Sequence, residues 1–134
     1  IWIFMDIATQ TPKRVYPEIS SIYEPLLPKL DMEYTSRKIK MPEKFDALEA
    51  IKVNQSQIDT NHHVNNSQYI VTAMKAAGLQ QMPKRIRAEY KKAAVLDDVF
   101  YPFVNIQNGN YMIDLRNAEG ESFATITFEY NLEK

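Results

Sequence analysis

The chain has 134 residues, 45% of them hydrophobic and 25% charged, with a formal net charge of −1. This composition suits one globular domain with a proper core, and it excludes a disordered chain, a pair of ordinary domains and a strongly basic nucleic-acid binder. Zero cysteines exclude disulfides, thiolate metal sites and a cysteine nucleophile. No apolar run is long enough to span a bilayer and no secretory signal pattern is present, so the expected home is the cytoplasm.

The first eight residues, opening Ile1-Trp2-Ile3-Phe4-Met5-Asp6, read as a strand met in mid-course, and turn chemistry at Thr9-Gln10-Thr11-Pro12 ends it. Pro17, Pro25 and Pro28 punctuate residues 16–29. Residues 18–23 can make one or two helical turns, with Pro17 near the start, where proline is tolerated. Residues 30–45 are polar, carry Pro42 and show no period, so they read as a linker. The run Arg37-Lys38-Ile39-Lys40 within it reads as a solvated basic loop.

Signals strengthen from Ala47. Residues 48–57 have a strand-like centre at Ile51 and Val53, and residues 56–59 would end that strand. Residues 66–77 place Ile70, Ala73, Met74 and Ala77 at helical spacing. Asn65 with Gln68 three residues later fits a capping box, and Gly78 fits a helix stop.

Four strands come next. Residues 85–93 alternate Ile86, Ala88 and Tyr90 with Arg85, Arg87, Glu89 and Lys91. Residues 99–106 are aromatic and β-branched on both faces, which predicts burial on both. Asn108-Gly109 is a hairpin signal leading into residues 111–116. Asn117 to Gly120 turns into residues 122–132, where Ala124, Ile126, Phe128, Tyr130 and Leu132 share a face. A strand, a long helix and four meandering antiparallel strands predict an α+β fold of the hotdog type, with the helix packed on the sheet.

Between the first strand and the helix lies Ile58-Asp59-Thr60-Asn61-His62-His63-Val64-Asn65. It brings a carboxylate, an amide and an imidazole to a helix start, where unpaired N–H groups carry partial positive charge and suit a developing oxyanion. Imidazole is the side-chain base able to take a proton near neutral pH. Asp59, Asn61 and His63 are therefore candidate catalytic residues, whereas Asn65, Asn66 and Tyr69 read as capping, amide contact and packing. His62 beside His63 does not suggest a metal, because adjacent side chains diverge and no further nitrogen or sulfur ligand is at hand. Neither G-x-S-x-G nor a phosphate-cradling loop occurs, and no cofactor is expected.

Asp59-Thr60-Asn61-His62-His63-Val64-Asn65-Asn66 followed by Tyr69 resembles the D-x-N-x-H-V-N-N-x-x-Y signature of acyl-(acyl carrier protein) thioesterases. Glu89-Tyr90-Lys91-Lys92 followed by Leu96-Asp97 is similar to that family's E-Y-x-x-E-x-x-x-D strand and turn. The resemblance implies hydrolysis of fatty acyl thioesters on acyl carrier protein in fatty acid biosynthesis, with Asp59, Asn61 and His63 as the catalytic set. It also implies a tandem hotdog. Residues 46–134 would be the C-terminal hotdog, and residues 1–45 the last strand of a preceding one plus a linker. The expected partners are the acyl carrier protein and a second hotdog, in the same chain or in another copy.

Two departures matter. Ala93 stands where many relatives have Glu, and Gln57 where an Asp is common. The first keeps a non-catalytic acyl-binding domain as an alternative; similarity to broader hotdog families keeps an acyl-CoA thioesterase as another. Lys84-Arg85-Ile86-Arg87, continuing to Lys91-Lys92, reads either as a solvated sheet face or as a docking strip for an acidic carrier.

Overall fold

The computed structural model describes residues 4–23, 36 and 38–131; the expectations for Trp2, Pro25, Pro28, Arg37 and Leu132 lie outside them. The chain divides into two compact units, residues 1–35 and 36–134.

In the first unit the expected strand gives way to a short hairpin. Met5 bridges Pro12, the Asp6 N–H bonds the Thr11 carbonyl, and Lys13 pairs with Asp6. Ile7 and Ala8 fall in the turn rather than in a strand, because the Asp6 carboxylate caps the Thr9 N–H at 2.9 Å and reverses the chain early. Helix α1 spans Pro17–Tyr23, with proline in its first position as expected.

The second unit is a sheet with one long helix. Strands β1 (Asp46–Ala47) and β2 (Ile51–Lys52) both pair with β4 (Val99–Gln107). The register changes by one residue between them, since Asp46 faces Val104 but Ile51 faces Phe100. They are one strand broken by a bulge. Pro102 lies opposite the break; it accepts from the Leu48 N–H but has no N–H to return, so a continuous ladder cannot form there.

The expected strand end at residues 56–59 is instead a turn of 3-10 helix, Gln55–Gln57. The cause is a capping box formed by Asn54 and Gln57, one element earlier than the box anticipated at Asn65 and Gln68. Helix α2 spans Asn66–Ala76, with Asn65 as its N-cap. The Asn65 side chain accepts from the N–H and hydroxyl of Ser67 rather than sharing a box with Gln68. Gly78 takes φ +64 just past the helix end, as the stop required.

Strands β3 (Arg85–Tyr90), β5 (Asn110–Arg116) and β6 (Ser122–Glu129) complete the sheet in the order β1-β4-β5-β6-β3. Only β4, β5 and β6 form a meander. Because β1 and β2 occupy one edge of β4 and β5 the other, β3 crosses to pair with β6 instead of its sequence neighbour. The hairpin at Asn108-Gly109 has positive φ at both residues, as a type I′ turn needs.

Helix α2 lies against β5 and β6. Phe100, Val104, Ile113, Leu115, Ala124, Ile126 and Phe128 from the sheet meet Tyr69 and Ala73 from the helix in one buried cluster. Each large side chain so buried contributes roughly 1.5–3 kcal/mol of transfer free energy, which makes this face the main source of stability. The opposite face corrects the expectation that β4 is buried on both sides. Tyr101 is exposed there, while Ile106 is exposed at the strand end on the same face as Phe100 and Val104. What covers the Tyr101 face is residues 38–45, a strap without regular structure. Glu89 accepts from the Ile39 N–H at 3.3 Å, Asn105 donates to the Lys44 carbonyl at 2.9 Å, and Phe45 lies on the Arg116 guanidinium. The linker is solvated at Lys38 and Lys40, but Ile39 between them is buried.

Candidate active site

The crossing from the 3-10 helix to α2 is held by its own backbone. Ile58 bridges Val64 across the loop. Inside it the Asp59 N–H donates to the His63 carbonyl at 2.8 Å, and the His62 N–H to the Asp59 carbonyl at 3.0 Å. His62 takes φ +62, the left-handed conformation that lets five residues close on themselves. One Asp59 carboxylate oxygen accepts from the Asn61 N–H at 2.8 Å and, more weakly, from the His63 N–H at 3.5 Å. Asp59 is thus the residue that shapes the loop.

The base of the loop is pinned twice. Asn65 donates its N–H to the Gln57 carbonyl, and Val64 donates to the Ala94 carbonyl at 2.8 Å. The Ala94 N–H donates in turn to the Tyr69 hydroxyl at 2.8 Å, so the segment after β3 is tied to both loop and helix. The Tyr90 hydroxyl donates to the Asn66 carbonyl at 2.9 Å, fixing the first turn of α2 against the end of β3. Burial raises the Tyr69 phenol above its ordinary pKa despite the Ala94 N–H, and burial with the neighbouring Tyr69 does the same for Tyr90. Both phenols are therefore held as neutral hydrogen-bonding groups.

The structure brings Asp59, Asn61 and His63 together on this one loop. Asn61 and His63 are exposed, and their side chains make no hydrogen bond among the described residues. In the first turn of α2 the Ser67 N–H is capped by Asn65 and the Gln68 N–H bonds the Asn65 carbonyl. That leaves the Asn66 N–H, at the helix start, without a partner among the described residues. Ala93 is exposed and directly precedes the pinned Ala94, so position 93 borders the crossing.

Three supports escaped sequence reasoning. Gln57 is buried and bonds Thr72 of α2 at 3.0 Å while accepting from the Asn54 N–H, a framing role. Tyr69 and Tyr90 were legible as packing residues, but their hydroxyl partners lie 25 and 24 residues away in the chain. No local pattern encodes those.

The basic strip on β3 is divided by the fold. Lys91 and Lys92 lie at the end of β3 nearest the crossing, where Lys92 pairs with Glu121 at 2.8 Å and Lys91 bonds the Thr125 hydroxyl. Arg85 and Arg87 lie toward the other end, roughly 20 Å and roughly 13 Å from Lys91 at ~3.3 Å per residue. Arg85 pairs with Glu129, and Arg87 bonds the Ser36 carbonyl. Among the described residues no three His, Cys, Asp or Glu side chains assemble a metal site, and no helix is long and apolar enough to cross a membrane.

Residues 40–132 match the family model described as the acyl-ACP thioesterase C-terminal domain. No curated protein sequence matches the chain. Among solved structures it is similar to an acyl-ACP thioesterase from Bacteroides thetaiotaomicron, with 15% identity and a TM-score of 0.71 over 93% of this chain and 52% of the other. The 12:0-ACP thioesterase from Umbellularia californica gives the same identity and TM-score over 93% of this chain and 51% of its own. A hypothetical thioesterase from Streptococcus pneumoniae, solved with coenzyme A, is 19% identical with a TM-score of 0.53 over 64% of this chain and 86% of the other. The chain spans about half the length of the two acyl-ACP thioesterases. At these identities the structural likeness establishes the α+β hotdog fold.

Proposed function

The chain belongs to the acyl-ACP thioesterase family by its C-terminal domain, and we propose that it hydrolyses fatty acyl thioesters carried on acyl carrier protein, with Asp59, Asn61 and His63 as the working residues. The observation that carries this reading is the self-held crossing. Its fold needs nothing from the Asn61 and His63 side chains, so an amide and an imidazole are left available on one loop that leads into the start of α2.

The chemistry rests on those groups. His63 takes a proton from water as the water oxygen attacks the thioester carbonyl. Asn61 orients the carbonyl or the attacking water, and the Asn66 N–H takes the charge that develops on the oxygen. Collapse of the tetrahedral intermediate breaks the C–S bond. The thiolate leaves without a strong general acid and then takes up a proton. Asp59 positions Asn61 through the backbone bond it accepts.

Lys91 and Lys92 directly precede the segment whose Ala94 carbonyl accepts from the Val64 N–H of the crossing, so the acidic carrier is assigned to that end of β3 rather than the Arg85 and Arg87 end. Among the described residues, strand β3 is paired with β6 on one side only. We assign its open edge to a second hotdog, supplied by a further domain upstream or by another copy; the double length of the two acyl-ACP thioesterases supports the former. Residues 1–45 then belong to the end of that domain and the linker, and the cytoplasm is the compartment we assign to the reaction.

The test is a parallel assay of the full-length protein and its His63→Ala variant on acyl-carrier-protein and acyl-CoA thioesters. Faster turnover of the carrier-bound substrate, lost in the variant, supports the proposal; faster turnover of acyl-CoA favours the second reading, which the coenzyme A bound to the Streptococcus pneumoniae protein motivates. Saturable acyl binding without turnover would mark a binding domain, which Ala93 motivates. In that case Ala93→Glu is expected to confer hydrolysis.

A further inference from the structure

The function proposed above leaves the far end of the basic strip unused, and that end borders a cleft. On the sheet face away from α2, near the Asn108-Gly109 hairpin, the strap and strands β3 to β6 enclose about 500 Å³. This lies within the range of small-molecule sites, roughly 300–1,000 Å³. Among the described residues, Lys38 and Lys40 from the strap and Arg85 and Arg87 from β3 line it, with the carboxylate of Glu129 beside them. Among the described lining residues four cations thus meet one carboxylate, a local excess of positive charge in a chain whose net charge is −1.

A second observation is independent of charge. Thr127 also lines the cleft, between Arg87 and Met112 on the neighbouring strands. It is only 7% exposed, and its hydroxyl has no hydrogen-bond partner among the described residues. A buried hydroxyl left unpaired costs roughly 1–3 kcal/mol, and its surroundings here are cationic. An anionic oxygen would satisfy both features at once, accepting from the hydroxyl while neutralising the surplus charge.

We propose that this cleft binds the phosphate group of a small phosphate ester, at a site separate from the thioesterase crossing. The volume is many times the ~30 Å³ share of one water, which leaves room for an organic group beyond the phosphate. Arg85 and Arg87 serve here as the fixed wall, since Glu129 and the Ser36 carbonyl hold them in place. Lys38 and Lys40, both exposed, close on the ligand from the strap.

Calorimetric titration of the full-length protein with adenosine monophosphate and with orthophosphate tests this. Saturable binding of adenosine monophosphate is expected, about tenfold weaker in Thr127→Val and at least tenfold weaker in the surface double variant Lys38→Gln/Lys40→Gln. It should weaken with added salt, and His63→Ala should leave it unchanged, which separates this site from the active site whether or not hydrolysis is observed. Equal affinity for orthophosphate would overturn the ester and reduce the site to a free-anion trap. Absence of saturable binding, or binding indifferent to both the Thr127 and the lysine variants, would overturn the site and leave Thr127 bonded to an ordered water only. The double variant keeps the test valid should Thr127→Val fail to fold.

Discussion

Two irregular segments, the crossing at residues 59–65 and the strap at residues 38–45, are held in opposite ways. The crossing is closed by main-chain bonds, with Asp59 and Asn65 adding side-chain caps to nearby N–H groups. The strap has no such internal scheme. Sheet side chains reach out to hold it, Glu89 to Ile39 and Asn105 to Lys44, with Arg116 sandwiched between Phe45 and Phe103 at 5.2 and 4.4 Å. A loop whose backbone satisfies itself can spend its side chains on chemistry, whereas a strap held by the sheet's side chains consumes them in structure. The first design suits a reactive site; the second suits a cover.

If that contrast is right, substitutions should separate activity from stability. The largest effect expected is from His63→Ala, which should lower turnover of the full-length protein by about 10²–10⁴-fold with no change in the thermal midpoint, because the His63 side chain holds nothing. A matching loss of stability would break the comparison.

Next comes Asp114, buried beneath the strap at 2% exposure. It accepts from Arg116 Nε and the Ser122 hydroxyl at 2.6 Å and from the Thr125 hydroxyl at 2.9 Å. Asp114→Ala strands these donors. It should cost about 2–3 kcal/mol in urea unfolding, the lower part of that range being favoured because Arg116 still reaches water.

Asn65→Ala tests the join between loop and helix. Loss of the cap on Ser67 should cost about 1 kcal/mol and slow turnover modestly by loosening the α2 start, measurable by denaturation and kinetics on one sample. The smallest effect belongs to the exposed pair of Lys92 and Glu121. Hydrogen bonds from Lys92 and then Asn117 hold Glu121 below the usual carboxylate range. A lowered folded pKa gives stability that is present above the ordinary value and lost as pH falls through the folded one. The difference in midpoint between wild type and Glu121→Gln should therefore shrink on acidification, and a gap that widens would contradict the assignment.

Much of the fold was legible because its signals are local. Asn108-Gly109 can take two positive φ values cheaply, Gly78 can take the left-handed stop, and the alternation at Ala124, Ile126 and Phe128 puts those residues on one face whatever partners they meet. The candidate site was legible for a related reason. Asp59, Asn61 and His63 fall within five residues, so one loop gathers them. The errors came where a distant element changed the outcome. Burial of both β4 faces failed at Tyr101 because the strap covers only part of the outer face, and at Ile106 because that end of the strand runs past the buried cluster. The strand end before the crossing failed because Asn54 and Gln57 close a box that competes with extension.

The sequence by itself determined the hotdog order of elements, the helix and its stop, the hairpin, and the identity of the polar trio, since each depends on neighbours within a few residues. Tertiary structure decided that β3 leaves its sequence neighbour for β6, that Asp59 spends its carboxylate on the loop, and that Tyr69 and Tyr90 pin the helix start from across the domain. It also divided one basic strip between the end near the crossing and a separate cleft. The physical reason is common to all four: hydrogen-bond satisfaction and burial are settled by whichever groups meet in space, and chain separation does not set which ones do.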